Sequence, residues 1–142
     1  MIRGFETSDT EQVMAVWLDA TKKGHFFVDD SYWEKTAVIV REQYIPVAET
    51  YVYEKEGKIL GFVSILSEDT IGGLFVDVDK HRCGIGKALV DHVKEKFEFL
   101  SVSAFKKNLN ARAFYEKQGF VFDYEQTDLN TNELECVYNW KR

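Results

Sequence analysis

Hydrophobic residues along the chain switch between two periods, and the switches mark its elements. Ile2–Phe5 reads as a first strand. Behind Ser8-Asp9-Thr10-Glu11, which has the form of a capping box, Val13, Val16, Trp17 and Ala20 recur at helical spacing. Gly24-His25-Phe26-Phe27-Val28 breaks that helix. A second helix follows from Asp30 or Ser31 to about Tyr44, with Trp33, Ala37, Val40 and Tyr44 inward and Pro46 marking its end. Thr50–Glu54 and Ile59–Leu66 read as strands joined by the hairpin signal Lys55-Glu56-Gly57-Lys58. Thr70–Val76 is the next strand. Ile85, Ala88, Leu89, Val93 and Phe97 then restore the helical period, so one face of a helix ending near Phe97 packs on a sheet. Phe99–Phe105 is a strand, Asn108 opens another helix, and Phe120–Glu125 and Glu133–Trp140 close the chain as a pair across the turn-rich residues 127–132. The order β-α-α-β-β-β-α-β-α-β-β predicts a mixed sheet with helices on its faces.

The junction between Val76 and the helix at Ile85 carries candidate chemistry. Leu74 to Val90 reads as a buried strand, a short polar turn with two glycines, and an amphipathic helix. No Ser, Thr, Asn or Asp stands immediately before Gly84 to cap that helix, so its first N–H groups lack an obvious side-chain partner. Gly84 and Gly86 allow a ligand close to the backbone, and the helix end, Arg82 and Lys87 supply positive charge. Such a cradle suits phosphate, although a glycine-rich turn without a ligand has the same pattern. Two nucleotide motifs fail here. A P-loop needs a Ser or Thr after Gly86-Lys87, and Ala88 stands there; the dinucleotide fingerprint needs a small residue where Leu89 stands.

A third motif fits. His81-Arg82-Cys83-Gly84-Ile85-Gly86 resembles [QR]-x-x-G-x-[GA], the pyrophosphate loop of the GNAT N-acetyltransferase superfamily, with His in place of Gln or Arg at the first position. Asn108-Leu109-Asn110-Ala111-Arg112-Ala113-Phe114-Tyr115-Glu116-Lys117-Gln118-Gly119-Phe120 resembles its second hallmark, N-x-x-A-x-x-[FL]-Y-x-[KR]-x-G-F. The same stretch makes physical sense as a helix with Asn108 at its N-cap, Lys117 near its negative end and Gly119 just beyond it. The two motifs stand in the family's order, and the resemblance covers roughly residues 1–140.

Composition narrows the picture further. A chain of 142 residues suits one domain with one core, here residues 1–142. It is 45% hydrophobic and 15% aromatic, which excludes a disordered chain, and one proline and no Gly/Ser-rich linker argue against a second domain. No apolar run approaches the ~20 residues of a membrane span, and the N-terminus lacks a signal-peptide core. Cys83 and Cys136 have no metal-ligand spacing and read as reduced thiols of a cytoplasmic protein. Three scattered histidines form no metal cluster. A net charge of −6 disfavours nucleic acid and favours a cationic acceptor such as an amine; acidity for solubility explains the same charge.

The resemblance implies an acetyl-CoA-dependent N-acetyltransferase with no metal. It would transfer acetyl directly to a primary amine of a small molecule or peptide. The implied architecture is an α/β fold, the GNAT fold. Its mixed, mostly antiparallel sheet has about seven strands and helices on both faces, and it splays between strands 4 and 5. The main chain of Leu74, Phe75 and Val76 would pair with the pantetheine arm, an N–H near Phe75 polarising the thioester carbonyl. His81, Arg82, Cys83, Gly84, Ile85, Gly86 and Lys87 would hold the pyrophosphate. Tyr115 matches the family tyrosine that protonates the coenzyme A thiolate. Asn108 either caps its helix or also contacts the cofactor.

The general base is where the chain departs from many relatives, which carry Glu or Asp just before the apolar run. Here Ile71-Gly72-Gly73 occupy those positions, with Glu68 and Asp69 further back; the glycines supply no base but leave room for a wider acceptor cleft. His25, among Phe26, Phe27 and Tyr32 in the loop that walls the family's acceptor pocket, is the candidate base. His92 reads as solvated, and Asp29, Asp30 and Glu34 serve either to attract a cation or to start a helix. A non-catalytic acetyl-CoA sensor is the alternative, favoured by the missing carboxylate and disfavoured by Tyr115. A homodimer stays open.

Overall fold

The computed structural model describes residues 1–80 and 83–142. The strands are β1 (Ile2–Gly4), β2 (Glu49–Lys55), β3 (Lys58–Leu66), β4 (Thr70–Val76), β5 (Phe99–Phe105), β6 (Val121–Asp128) and β7 (Glu133–Lys141). The helices are α1 (Thr10–Gly24), α2 (Asp30–Ile39), α3 (Ile85–Lys94) and α4 (Leu109–Lys117). All seven strands form one sheet in the order β1-β2-β3-β4-β5-β7-β6. β2 and β3 are joined by a two-residue turn with positive φ at both Glu56 (54°) and Gly57 (79°), the geometry that matches strand twist.

β3 lies near the middle of the sheet and is buried on both faces. Ile59 and Phe62 meet Val13, Trp17 and Trp33 of α1 and α2, while Val63 and Ile65 face Leu89, Val90 and Val93 of α3. Each fully buried apolar side chain of this kind contributes about 1.5–3 kcal/mol. Beside the first of these layers, Asp9 ties β1 to the start of α1. It takes the Glu6 N–H at 2.8 Å and two Arg3 hydrogen bonds at 2.8 and 3.0 Å, and Arg3 also reaches Glu54.

Every neighbouring pair is antiparallel except β4 and β5, which α3 connects in parallel. Among the described residues the β4–β5 ladder pairs Thr70 with Ser101 and Ile71 with Val102. The β3–β4 register slips at the same level: Ser64 faces Gly73 and Ile65 faces Ile71, so Gly72 is an extra residue. A bulge bends and twists its strand. Here it coincides with the parting of β4 from β5, and the expected splay opens at this point.

Several local expectations change. The first helix begins at Thr10 after a 3-10 turn at Thr7–Asp9, and Asp9 binds Glu6 rather than closing a box from Ser8. Asp29, one position ahead of the expected caps, caps α2 through the Ser31 N–H at 2.8 Å. α2 stops at Ile39, and Val40–Tyr44 form a wider π-type turn closed by Ile45 N–H to Val40 O at 2.9 Å. That widening keeps Val40 buried but turns Tyr44 outward, 47% exposed. α3 ends at Lys94, so Phe97 packs on the core from outside the helix.

Candidate active site

The start of α3 is a cluster of N–H donors without partners inside the helix. Gly84 is its N-cap with φ +82°, and no side chain caps it. The first intrahelical bond is Ala88 N–H to Gly84 O at 3.0 Å, so the N–H groups of Ile85, Gly86 and Lys87 have no helical partner. A Cβ on Gly84 would meet nothing within 4 Å, whereas one on Gly86 would meet Phe114 of α4 at 3.3 Å and Val76 Cγ2 at 3.7 Å. Ile85 is buried and Cys83 is exposed. The Lys87 ammonium is engaged by Asp91 at 2.6 Å, one turn into the helix. His81 and Arg82 lie outside the described residues.

The described β4–β5 pairs end at Ile71. Asp77 donates its N–H to Leu60 O of β3 at 2.8 Å, and β3 and β4 stay in register from there back to Gly73. Strand alternation then puts the N–H of Phe75 on the β3 side and those of Leu74 and Val76 on the side facing β5. This corrects the expectation that the Phe75 main chain faces the splay. Its ring instead joins the α1 face, 6.3 Å from Trp17 and 5.4 Å from Phe62, while Leu74 and Val76 pack on the α3 side.

Tyr115 comes from α4. Its ring sits between Phe114 (5.3 Å) and Phe120 (5.7 Å) and is 7% exposed. Burial pushes its pKa well above the ordinary phenol value, so the group stays protonated. No hydrogen bond from a described residue to the hydroxyl is seen, and the ring is part of the core. Asn108 is a cap: its Oδ1 accepts from Ala111 N–H at 3.1 Å. Its Nδ2 faces the end of α1, 3.5 Å from where a Gly24 Cβ would stand.

On the α1 face, a cavity of about 290 Å³ lies against the bulge, walled by Trp17, Tyr44, Phe62 and Phe75 among others. Gly72 and Gly73 line it but leave no space for side chains of their own. A Cβ at 72 would overlap Leu66, and one at 73 would lie 2.7 Å from Phe75 Cε2. Leu66 and Phe75 therefore fill the room a carboxylate there would need. His25 does not line this cavity; it packs against Phe105 (4.9 Å), Trp33 (5.4 Å) and Phe27 (5.9 Å). Burial lowers its pKa to about 4, so the imidazole is neutral at pH 7. Glu34 pairs with Lys22 at 3.2 Å and Asp29 is the α2 cap, which gives both acids structural partners. His92 is half-buried, its ring 4.8 Å from Tyr51.

Residues 46–122 match the family model described as the acetyltransferase (GNAT) domain. The chain belongs to the GNAT superfamily. The peptidyl-lysine N-acetyltransferase YiaC of Escherichia coli (strain K12) is 38% identical over 120 residues, covering 84% of this chain and 82% of that protein. The peptidyl-lysine N-acetyltransferase YjaB of the same strain is 30% identical over 120 residues, covering 84% and 80%. The solution structure of apo-form YjaB from Escherichia coli superposes with a TM-score of 0.86 at 26% identity, covering 99% of this chain and 96% of that one. PaiA N-acetyltransferase from Thermoplasma acidophilum, in complex with coenzyme A, has a TM-score of 0.82 at 16% identity over 100% and 98% of the two chains, a likeness of fold.

This GNAT chain is thus an enzyme that transfers acetyl from acetyl-CoA to an amine, rather than a non-catalytic sensor. No helix among its described residues is long and apolar enough to cross a membrane.

Proposed function

We propose that this chain acetylates the side-chain amine of lysine in a peptide or protein, within one domain spanning residues 1–142. The relatives named peptidyl-lysine N-acetyltransferases support the acceptor class. The observation that carries the site is the parting of β4 from β5 beside the uncapped start of α3.

Acetyl-CoA, when bound, supplies an activated acyl carbon as a thioester. The N–H groups of Ile85, Gly86 and Lys87 and the positive helix end would receive its pyrophosphate, with His81, Arg82 and Cys83 in the same turn. Leu74 and Val76 would offer main-chain groups to the pantetheine arm, and Asn108 its amide. An N–H on the same edge would polarise the thioester carbonyl. Tyr115, held protonated by burial, would give the sulfur its proton. His25 would take the proton that the amine loses. Its neutral imidazole supports that role, and the cavity beside Gly72 and Gly73 would take the acceptor side chain.

The same reading places the enzyme in the cytoplasm and allows a homodimer, for which the exposed Val121, Phe122 and Tyr124 of rim strand β6 give a surface. Release of coenzyme A thiol with a peptide panel tests the function. Turnover should require a lysine, and mass spectrometry should find the acetyl group on its ε-nitrogen. Acetylation confined to peptide α-amines would overturn the reading. Sedimentation at micromolar concentration tests the dimer.

A further inference from the structure

The cavity on the α1 face is a chamber without charge. Trp17, Phe62 and Phe75 wall it, and among the described residues no carboxylate, ammonium, guanidinium or imidazole lines it. Trp17 is 6% exposed and Phe62 1%. Of the lining only Tyr44 and Gly72 are exposed, so the mouth lies between the π-type turn and the bulge. Its volume of about 290 Å³ far exceeds the ~10–15 Å³ that one water needs, which leaves room for an extended side chain.

The polar and charged groups around it have other partners. Buried Ser64 shares a hydrogen bond with Thr50 at 2.8 Å, and Tyr44 brings a phenol. Arg41 of the π-type turn reaches Glu11 at 2.6 Å, and Lys22 of α1 pairs with Glu34 at 3.2 Å. Asp19 of α1 lines a separate hollow, and Glu49 of β2 takes the Tyr51 hydroxyl at 2.9 Å. Glu42, Glu68, Asp69 and His25 lie outside the lining. A side chain in this cavity therefore meets no counter-charge. Ring faces attract a cation, but by less than stripping water from an unpaired ammonium costs. Burial can bring a lysine's pKa from ~10.4 to as low as ~5–6, so an amine held there is neutral at pH 7.

We propose that the cavity takes the acceptor lysine as its neutral amine, leaving the ammonium proton in the water outside, and so selects the nucleophilic form without a carboxylate. The proposal rests on the acetyltransferase reading above. Leu66 and Phe75 fill the room that a carboxylate at position 72 or 73 would need, so the packing that removes the acid also makes the chamber apolar. The entry step breaks one N–H bond: R–NH3⁺ gives R–NH2 and a proton to solvent. The nitrogen lone pair then forms the bond to the acetyl carbon, and the carbon–sulfur pair leaves with sulfur. In that later exchange nitrogen sheds one further proton, to His25 on the reading above, and sulfur takes one from Tyr115.

Calorimetry on the enzyme–coenzyme A complex tests this with a lysine peptide and its norleucine counterpart, which has the same stem and no amine. Only about one lysine in 2,500 is neutral at pH 7. Lysine-peptide affinity should rise about tenfold per pH unit from pH 7 to 9. The norleucine peptide should bind equally across that range, and more tightly than lysine at pH 7. In steady-state kinetics KM should carry the slope while kcat stays nearly level. A level KM with a rising kcat marks an ammonium that binds first, and overturns the proposal. Tyr44→Phe should keep the slope; a slope that vanishes with the phenol also overturns it. If lysine peptides are acetylated but bind equally at pH 7 and 9, this inference falls and the acceptor reading stands. If no lysine peptide is acetylated, both fall.

Discussion

Gly86 is seated against Phe114: a Cβ at position 86 would stand 3.3 Å from Cε1 and Cζ of that ring. The second motif glycine therefore sets the spacing of α3 and α4 as well as opening the helix start. Gly84 differs, with a left-handed φ of +82° and open space where its Cβ would be.

The two glycines should separate by experiment. Gly84→Asn, a residue that tolerates the left-handed region, should fold and lose coenzyme A affinity by at least about tenfold, or ~1.4 kcal/mol. Gly86→Val should lower the melting temperature as well as binding, because Phe114 must move. Calorimetry and thermal melts distinguish them; wild-type affinity in folded Gly84→Asn would contradict the phosphate cradle.

Tyr115→Phe keeps the packing between Phe114 and Phe120 and deletes the proton. Acetyl-CoA affinity and melting temperature should stay near wild type while turnover falls ~10²-fold or more. Tyr115→Ala should instead destabilise the chain by ~3–5 kcal/mol, the cost of removing a large core ring. Unchanged turnover in the phenylalanine variant would remove Tyr115 as the acid.

His25 should leave a mark on stability as pH changes. Burial lowers its folded pKa to about 4, below the ~6.5 of an unfolded chain. Between those values the unfolded chain binds a proton that the folded chain refuses. Its contribution is whole above ~6.5 and is lost as pH falls towards about 4. Denaturant melts of wild type and His25→Gln should converge over that window, and parallel curves would contradict the burial.

Asp9 governs a lower window. Hydrogen bonds from Arg3 hold its carboxylate below the usual range, so its stabilisation is present above ~3.9 and is lost as pH falls further. Asp9→Asn should cost about 1–3 kcal/mol at pH 7 and flatten the loss of stability below pH ~4. An equally steep acid limb in the variant would assign that limb to other carboxylates.

The strand Thr70–Val76, the uncapped Gly84 and the helix between Asn108 and Gly119 were legible in the sequence because each is fixed locally. A strand is written in its apolar run, and a cap in one polar residue. Gly119 has the left-handed φ of +91° that a residue just past a helix end needs. Tyr44 was misread because helical periodicity cannot foresee a π-type turn, where one extra residue rotates every later side chain.

By itself, then, the sequence determined the kinds and order of elements and the family to which its two motifs belong. Tertiary structure decided three things. It placed β7 between β5 and β6, leaving β6 at the rim. It put the bulge at Gly72, and Leu74 and Val76 rather than Phe75 turn their N–H groups to the side facing β5. It brought His25, just past the end of α1, against Trp33 of α2 and Phe105 of β5. The reason is the same in each case: strand register and helix docking are set by side chains that meet only after the chain has closed on itself, and a local pattern carries no record of its distant partner.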